Sequence, residues 1–191
     1  MGEARRRKEQ LRSIMMEELT TMAAAPSEQE LQLAAELLLL PAAWAQRESP
    51  ERLAWANMQP RQCHPNVAAY VRLDPNQRSI HRVGWWKQGA QFVLHSVVEI
   101  DGAFVCLTPQ QPGVPDRFPF VLDPKITLSD DGGGIIGFRR DGQPFPKVVR
   151  ANPAPVIQVA KLGLDRLASG MDPHSVWAEL DREMSRLMDE Q

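Results

Sequence analysis

Phe92-Val93-Leu94-His95-Ser96-Val97-Val98-Glu99-Ile100, then Asp101-Gly102, then Ala103-Phe104-Val105-Cys106-Leu107-Thr108 is the stretch whose reading decides the fold. β-Branched and aromatic residues dominate both runs, and Asp-Gly between them is a two-residue hairpin signal. Strands are therefore expected from Gln91 to Ile100 and from Ala103 to Thr108. The tight turn sets the register, pairing Glu99 with Phe104, Val97 with Cys106 and His95 with Thr108. Side chains alternate along a strand, so Val93, His95, Val97 and Glu99 share one face while Leu94, Ser96, Val98 and Ile100 share the other. Thr108 then lies directly opposite His95, with Cys106 as a diagonal neighbour. A histidine amid Val and Leu on a central strand requires a hydrogen-bond partner.

Working upstream, Ile80 to Trp86 reads as a further strand, turned into the next by Lys87-Gln88-Gly89-Ala90. Alternation is expected to send one of Trp85 and Trp86 inward and leave the other outward as a possible contact. Asp74-Pro75-Asn76-Gln77 is a turn cluster. Before it, Cys63-His64-Pro65-Asn66 opens a short helix that runs to Leu73. Pro65 suits its first turn, and Val67, Tyr70 and Val71 give it a buried side. Downstream of Pro109 the chain is rich in Pro and Gly, with short strands expected at Phe118 to Leu122, Ile135 to Arg139 and Lys147 to Arg150. Asp130-Asp131-Gly132-Gly133-Gly134 lacks the further carboxylates of a calcium loop and the Gly-Lys-Ser/Thr of a phosphate loop, so it reads as a turn.

Both ends are helical. Leu11, Ile14, Met15, Leu19 and Met22 recur at helical spacing from Arg5 to Met22. Ser27 and Glu30 form a capping box for a second helix, which carries Leu31, Leu33, Ala34, Leu37 and Leu38 and stops before Pro41. A short helix starts at Pro50. Pro155 to Ala168 and a segment from Pro173 with Val176, Trp177, Leu180, Met184, Leu187 and Met188 close the chain. The expected architecture is α+β: a Cys-bearing helix packed on a small antiparallel sheet, with helical N- and C-terminal extensions. Its parts are a helical N-terminal region (1–58), an α+β core (59–152) and C-terminal helices packing on that core (153–191).

A chain of 191 residues suffices for one well-cored domain with helical additions. A net charge of −2 gives no support to nucleic acid as a partner, since phosphate binding is driven by clustered Lys and Arg. The first residues are charged and no apolar core follows them, so no secretory signal is read there; Arg6 stands where myristoylation prefers Ser or Thr. The apolar stretch around Leu33 to Trp44 contains Glu36 and is too short to span a bilayer. The expectation is a cytoplasmic protein without membrane contact, its two cysteines reduced. Met15, Met16, Met22, Met184 and Met188 on the terminal helices suit docking on a partner protein or on a second copy.

Chemistry is concentrated between Cys63 and Pro109. Cys63 sits at the first turn of its helix, where unpaired N–H groups and the dipole favour a thiolate. His64 is adjacent in sequence, and such neighbours do not face each other on a helix, which makes His95 the better base. Cys63, His64, His95 and Cys106 are also zinc-compatible donors, but no Cys-x-x-Cys or His-x-x-x-His pair pre-forms half a site. No metal or other cofactor is expected.

The order of a Cys-bearing helix start, a Gly-Trp strand, a His-Ser-Val-Val strand and an Asp-Gly hairpin resembles the core of papain-like and transglutaminase-like cysteine hydrolases. The resemblance rests on motif order over about a quarter of the chain. It implies Cys63 as nucleophile, His95 as base, and Gln62 or a helix-start N–H as oxyanion donor. The family's orienting Asp or Asn is missing from the third strand, where the register places Thr108 or Cys106; Asn66, Glu99 and Asp123 are the other candidates for that task. The function so implied is a thiol hydrolase or acyl transferase acting on an amide or thioester of a peptide, protein or small acyl substrate. The alternatives are a non-catalytic protein-interaction module on a degenerate scaffold of the same kind, and a small zinc-binding protein.

Overall fold

The structure, a computed structural model, describes residues 2–111, 113–130 and 136–189. The chain divides into two compact units, one formed by Met1–Leu31 with Asn152–Gln191 and the other by Gln32–Ala151. The fold is α+β, and Cys63 begins a helix as its sequence predicts.

The second unit is built on a ring of strands. Strand β1 (Ala42–Arg47), β2 (Ser79–Gln88), β3 (Gln91–Ile100), β4 (Ala103–Cys106) and β5 (Arg117–Leu122) pair in the cycle β2–β5–β1–β4–β3–β2, so the sheet closes on itself. The ring is mixed rather than wholly antiparallel, because β1 runs parallel to β4, pairing Ala45 with Phe104 and Arg47 with Cys106. Strand β1 lies in a segment whose composition reads as helical, and parallel pairing needs a crossover connection. Helices α3 (Pro50–Trp55) and α4 (Cys63–Leu73) occupy part of the long connection.

Closure depends on Gly84. A Cβ on this residue would stand 2.2 Å from the Val121 carbonyl oxygen and 2.8 Å from Phe120 Cζ, so only glycine lets β5 approach β2 here. Ala45, Val97, Cys106, Phe118 and Phe120 fill the interior, with Trp86, Phe104 and Leu122 packed against them. The opposite face of β2 and β3 is also covered. Helix α2 (Glu28–Leu39) contributes Leu33, Ala34 and Leu37 to a cluster with Val83, Trp85, Phe92 and Leu94. Helix α4 supplies Val67 to a cluster with Leu53, Val98 and Leu107. Neither Trp85 nor Trp86 is therefore left as an outward contact: Trp85 is fully buried and donates Nε1–H to Asp123 Oδ2 at 3.0 Å, while Trp86 is half-buried against the ring interior.

Strand β3 is the hinge of the arrangement. One edge pairs with β2 along its whole length. The other pairs with β8 (Val148–Arg150) through Gln91–Val93 and with β4 through Val98–Ile100. Between those ladders the edge is interrupted, and α4 packs on this strand. A second sheet, β6 (Ile126–Asp130) with β7 (Ile136–Arg140), forms a hairpin; the Gly-rich turn expected between its strands lies outside the described residues.

In the other unit, α1 (Gly2–Ala23), α5 (Pro153–Ala168) and α6 (Pro173–Asp189) bury Met15 and Leu19 against Val159, Ala160, Leu167, Val176 and Leu180. Met22 and Met184 are partly buried in the same cluster. Of the methionines read as a docking stripe, Met15 is thus core and Met16 is exposed; the Met188 side chain lies outside the description. No helix among the described residues is long and apolar enough to cross a membrane.

Candidate active site

The segment leading into α4 is set by a buried amide. Asn66 Oδ1 accepts from the Gln59 N–H at 3.0 Å, while Asn66 Nδ2 donates to the carbonyls of Gln59 at 2.8 Å and Leu107 at 3.0 Å. These bonds hold a loop that turns through positive φ at Asn57 and Arg61, and they tie the start of α4 to the end of β4. Asn66 is therefore committed to the backbone and orients no imidazole. Gln62 is the exposed N-cap residue of α4 and makes no side-chain capping bond.

Cys63 follows at the first turn, half-buried. The Leu94 N–H donates to the Lys147 carbonyl at 2.8 Å, which shows that this edge of β3 faces outward from the ladder with β2. The Ser96 N–H, two residues on, points to the same side. It acts on the Cys63 sulfur. Burial pushes the Cys63 thiol up, opposed first by that Ser96 N–H and then by the backbone N–H groups of His64 and Cys63 itself.

The Ser96 hydroxyl, fully buried, joins two imidazoles. It lies 2.6 Å from His64 Nδ1 and 2.8 Å from His81 Nε2. Because His81 pairs with Val98 across the β2–β3 ladder, His81 and Ser96 are diagonal neighbours on one face. A hydroxyl has a single proton, so it accepts from one ring and donates to the other. When His64 Nδ1–H donates to Ser96 and Ser96 donates to His81, His64 Nε2 is left as a proton acceptor. The His64 ring packs on Phe138 with centroids 4.3 Å apart. Burial lowers both imidazoles to about 4 from their ordinary 6.5, so both are neutral at pH 7.

His95 faces the other way, into the ring. Its Nε2 lies 3.2 Å from Cys106 Sγ, so the thiol the structure gives it is Cys106 and not Cys63. It is 4% exposed, with Trp86 and Phe118 edge-on at 5.8 and 5.6 Å, and burial lowers it to about 3. Cys106 is fully buried and its thiol is pushed up by that burial. Arg47 also reaches this sulfur, with Nη1 at 3.5 Å, its guanidinium carbon 4.9 Å from the centre of the Trp86 ring and 4.7 Å from that of Phe118. The hairpin register holds as expected at Glu99–Phe104, but the ladder begins at Val98–Val105, and Thr108 lies beyond the end of β4 instead of opposite His95. Thr108 is buried beside Cys106, where its N–H and its side chain oppose the rise of that thiol. The other candidate orienters are occupied: Glu99 by Arg82 at 2.6 Å, and Asp123 by Trp85 and by Arg140 at 2.8 Å.

Cys63 and His95 were the pair legible in the strand pattern. Ser96 and His81 were not singled out, although alternation places Ser96 on the α4 side of β3 and two-residue spacing gives His81 the same side of β2. Arg47 lies on the unforeseen strand. Among the described residues, no three His, Cys, Asp or Glu side chains are placed to hold a metal ion, so Cys63, His64, His95 and Cys106 do not form a zinc ligand set there. Compared with described protein families, curated proteins and solved structures, the chain has no match.

Proposed function

We propose that the protein is a thiol-dependent hydrolase or acyl transferase acting on an amide or thioester, with Cys63 as nucleophile. The observation that carries this reading is the seat of Cys63: a half-buried thiol on the first turn of α4, with the N–H groups of Ser96, His64 and Cys63 opposing the effect of its burial and the His64–Ser96–His81 chain beginning at the next residue. A thiol raised by burial needs a base to deprotonate it on attack. His64 takes that role in the proposal, and His95, sealed against Cys106, does not.

In the acylation step the Cys63 S–H proton passes to His64 Nε2 as sulfur bonds to the acyl carbon. The Ser96 hydroxyl and His81 spread the resulting charge, since His64 can pass its Nδ1 proton to Ser96 as Ser96 passes its own to His81. The amine or thiol then leaves with the proton returned through His64, and water or a second nucleophile attacks the thioester to release free Cys63. The N–H groups of the first turn and of Ser96 are the available oxyanion donors.

The test is labelling by an electrophilic acyl or iodoacetamide probe at neutral pH, read by mass spectrometry of the intact chain. Cys63 labels faster than Cys106; His64→Asn and Ser96→Ala slow the Cys63 reaction by at least about tenfold, while His95→Asn leaves it within about threefold. Equal rates at the two thiols, or a His64→Asn protein that labels like the parent, overturn the proposal. The second reading is a non-catalytic interaction module. Its supporting observations are the upward shift of the Cys63 thiol and the burial of His95, and slow labelling of both thiols would favour it.

A further inference from the structure

Lys147 stands beside the Cys63 seat. Its carbonyl accepts the Leu94 N–H at 2.8 Å, on the edge of β3 from which the Ser96 N–H acts on Cys63. Its ammonium lies 6.0 Å from the centre of the Phe138 ring, and that ring stands 4.3 Å, centre to centre, from the His64 imidazole. The ammonium is therefore within about 10 Å of His64, about one screening length at 0.1 M salt. Phe138 is partly buried against the cluster of Val83, Trp85 and Phe92, which makes it a fixed wall between the two.

The charge of Lys147 has no counter-charge there. Burial is the leading cause that lowers the His64 imidazole, and the charges of His81 and Lys147 add to it. Burial also leads at Cys63, where the further charge is that of Cys106. No carboxylate of the described residues acts on either side chain. His81 is neutral at pH 7 and Cys106 is a buried thiol, so Lys147 supplies the formal charge felt by the pair. Lys147 is itself exposed, and it forms no ion pair with a carboxylate of the described residues. Its distance to Phe138 is at the outer limit of cation–π contact, about 6 Å, so the ring leaves the charge open to another partner.

Resting on the reading of Cys63 as nucleophile, we propose that the substrate of this site carries a carboxylate close to its acyl carbon, and that Lys147 receives it. Lys147 sets specificity in this proposal and takes no part in proton transfer. A substrate with a cationic group at the same place is disfavoured by the same charge.

The experiment is alkylation of the full chain with iodoacetate and with iodoacetamide, its neutral twin. Mass spectrometry of the peptide containing Cys63 gives the two rates, each normalised to mercaptoethanol as a free neutral thiol. In the parent the normalised iodoacetate-to-iodoacetamide ratio is at least about 3 at low salt and falls toward 1 at about 0.5 M salt. Lys147→Met lowers the ratio about threefold or more, Lys147→Arg retains it, and Lys147→Glu takes it below 1. A lysine with only a structural role changes both rates together and leaves the ratio unmoved. An unchanged ratio in Lys147→Met therefore overturns the inference, as does a parent ratio no higher than that of the free thiol. Failure of the nucleophile reading is seen separately, because Cys63 then labels with iodoacetamide no faster than Cys106, whatever the charge ratio. No labelling of Cys63 by either reagent overturns both.

Discussion

Acid should unfold the strand-ring unit in a pH window set by three desolvated imidazoles, His95 buried and His64 and His81 half-buried. His64, His81 and His95 are ordinary at 6.5 when unfolded and stand at about 4, about 4 and about 3 when folded, burial being the leading cause in each. Their folded values are depressed, so between 6.5 and 4 the unfolded chain binds more protons and stability falls as pH falls. Lowering the pH from 7.5 to 5 favours the unfolded state by about 2 kcal/mol for each such imidazole, at about 1.4 kcal/mol per pH unit below 6.5. Together they remove about 6 kcal/mol, a large part of the roughly 5–15 kcal/mol of an ordinary domain. Glu36, lowered to about 2 by its bonds to Lys125 and Arg140, keeps its contribution until the pH falls below 4.5 and so does not confuse this window. The assay is urea unfolding at pH 7.5, 6.5, 5.5 and 5.0, followed by tryptophan fluorescence in a Trp177→Phe chain so that the signal comes from the residue 32–151 unit. His81→Gln should reduce the dependence on pH by about one imidazole's share, about 2 kcal/mol over the window, whatever its effect on stability at pH 7.5. Equal stability at pH 7.5 and 5.0 in the parent chain would show that these imidazoles are not held neutral and would refute the two histidine sites as described.

Two further substitutions test how the site is positioned. Gly84→Ala places a methyl group against the Val121 carbonyl and Phe120, and should cost about 3 kcal/mol or more in chemical denaturation, because backbone cannot move aside as a flexible side chain can. Asn66→Ala removes the bonds to Gln59 and Leu107 and should cost about 2–4 kcal/mol, with faster hydrogen exchange at Gln59 and at the first turn of α4. A loss below about 1 kcal/mol would mean that water replaces the amide there.

Local sequence signals placed most of the elements but not their closure. The Asp-Gly turn fixed the β3–β4 hairpin at Glu99–Phe104, and Pro50, Pro65 and Pro173 marked helix starts because proline is tolerated where no N–H bond is needed. Ala42 to Arg47 carries no such signal. Ala-Ala-Trp-Ala-Gln-Arg has weak strand propensity, and its conformation is imposed by pairing with β5 on one edge and β4 on the other. That same strand delivers Arg47 to Cys106 and His95. Missing it hid the only charged group inside the ring that contacts the Cys106 sulfur among the described residues.

The closed ring also changes what alternation means for β3. On an open two-sided sheet, the face carrying His95 and the face carrying Ser96 would differ in exposure, and a histidine on the helix-covered side would be the natural partner of Cys63. Here both faces are covered, one by the ring interior and the other by α2 and α4. Exposure therefore stops sorting the two, and the decisive feature becomes which face α4 covers. Val67 packs beside Val98, so α4 lies on the Ser96 side, and the imidazole it brings is its own His64. His95, one residue away along the strand, is turned to the opposite side and finds a thiol there in Cys106. Neighbouring positions on one strand thus face two separate sites, one with His95 sealed against buried Cys106 and one with half-buried Cys63 beside the His64–Ser96–His81 chain.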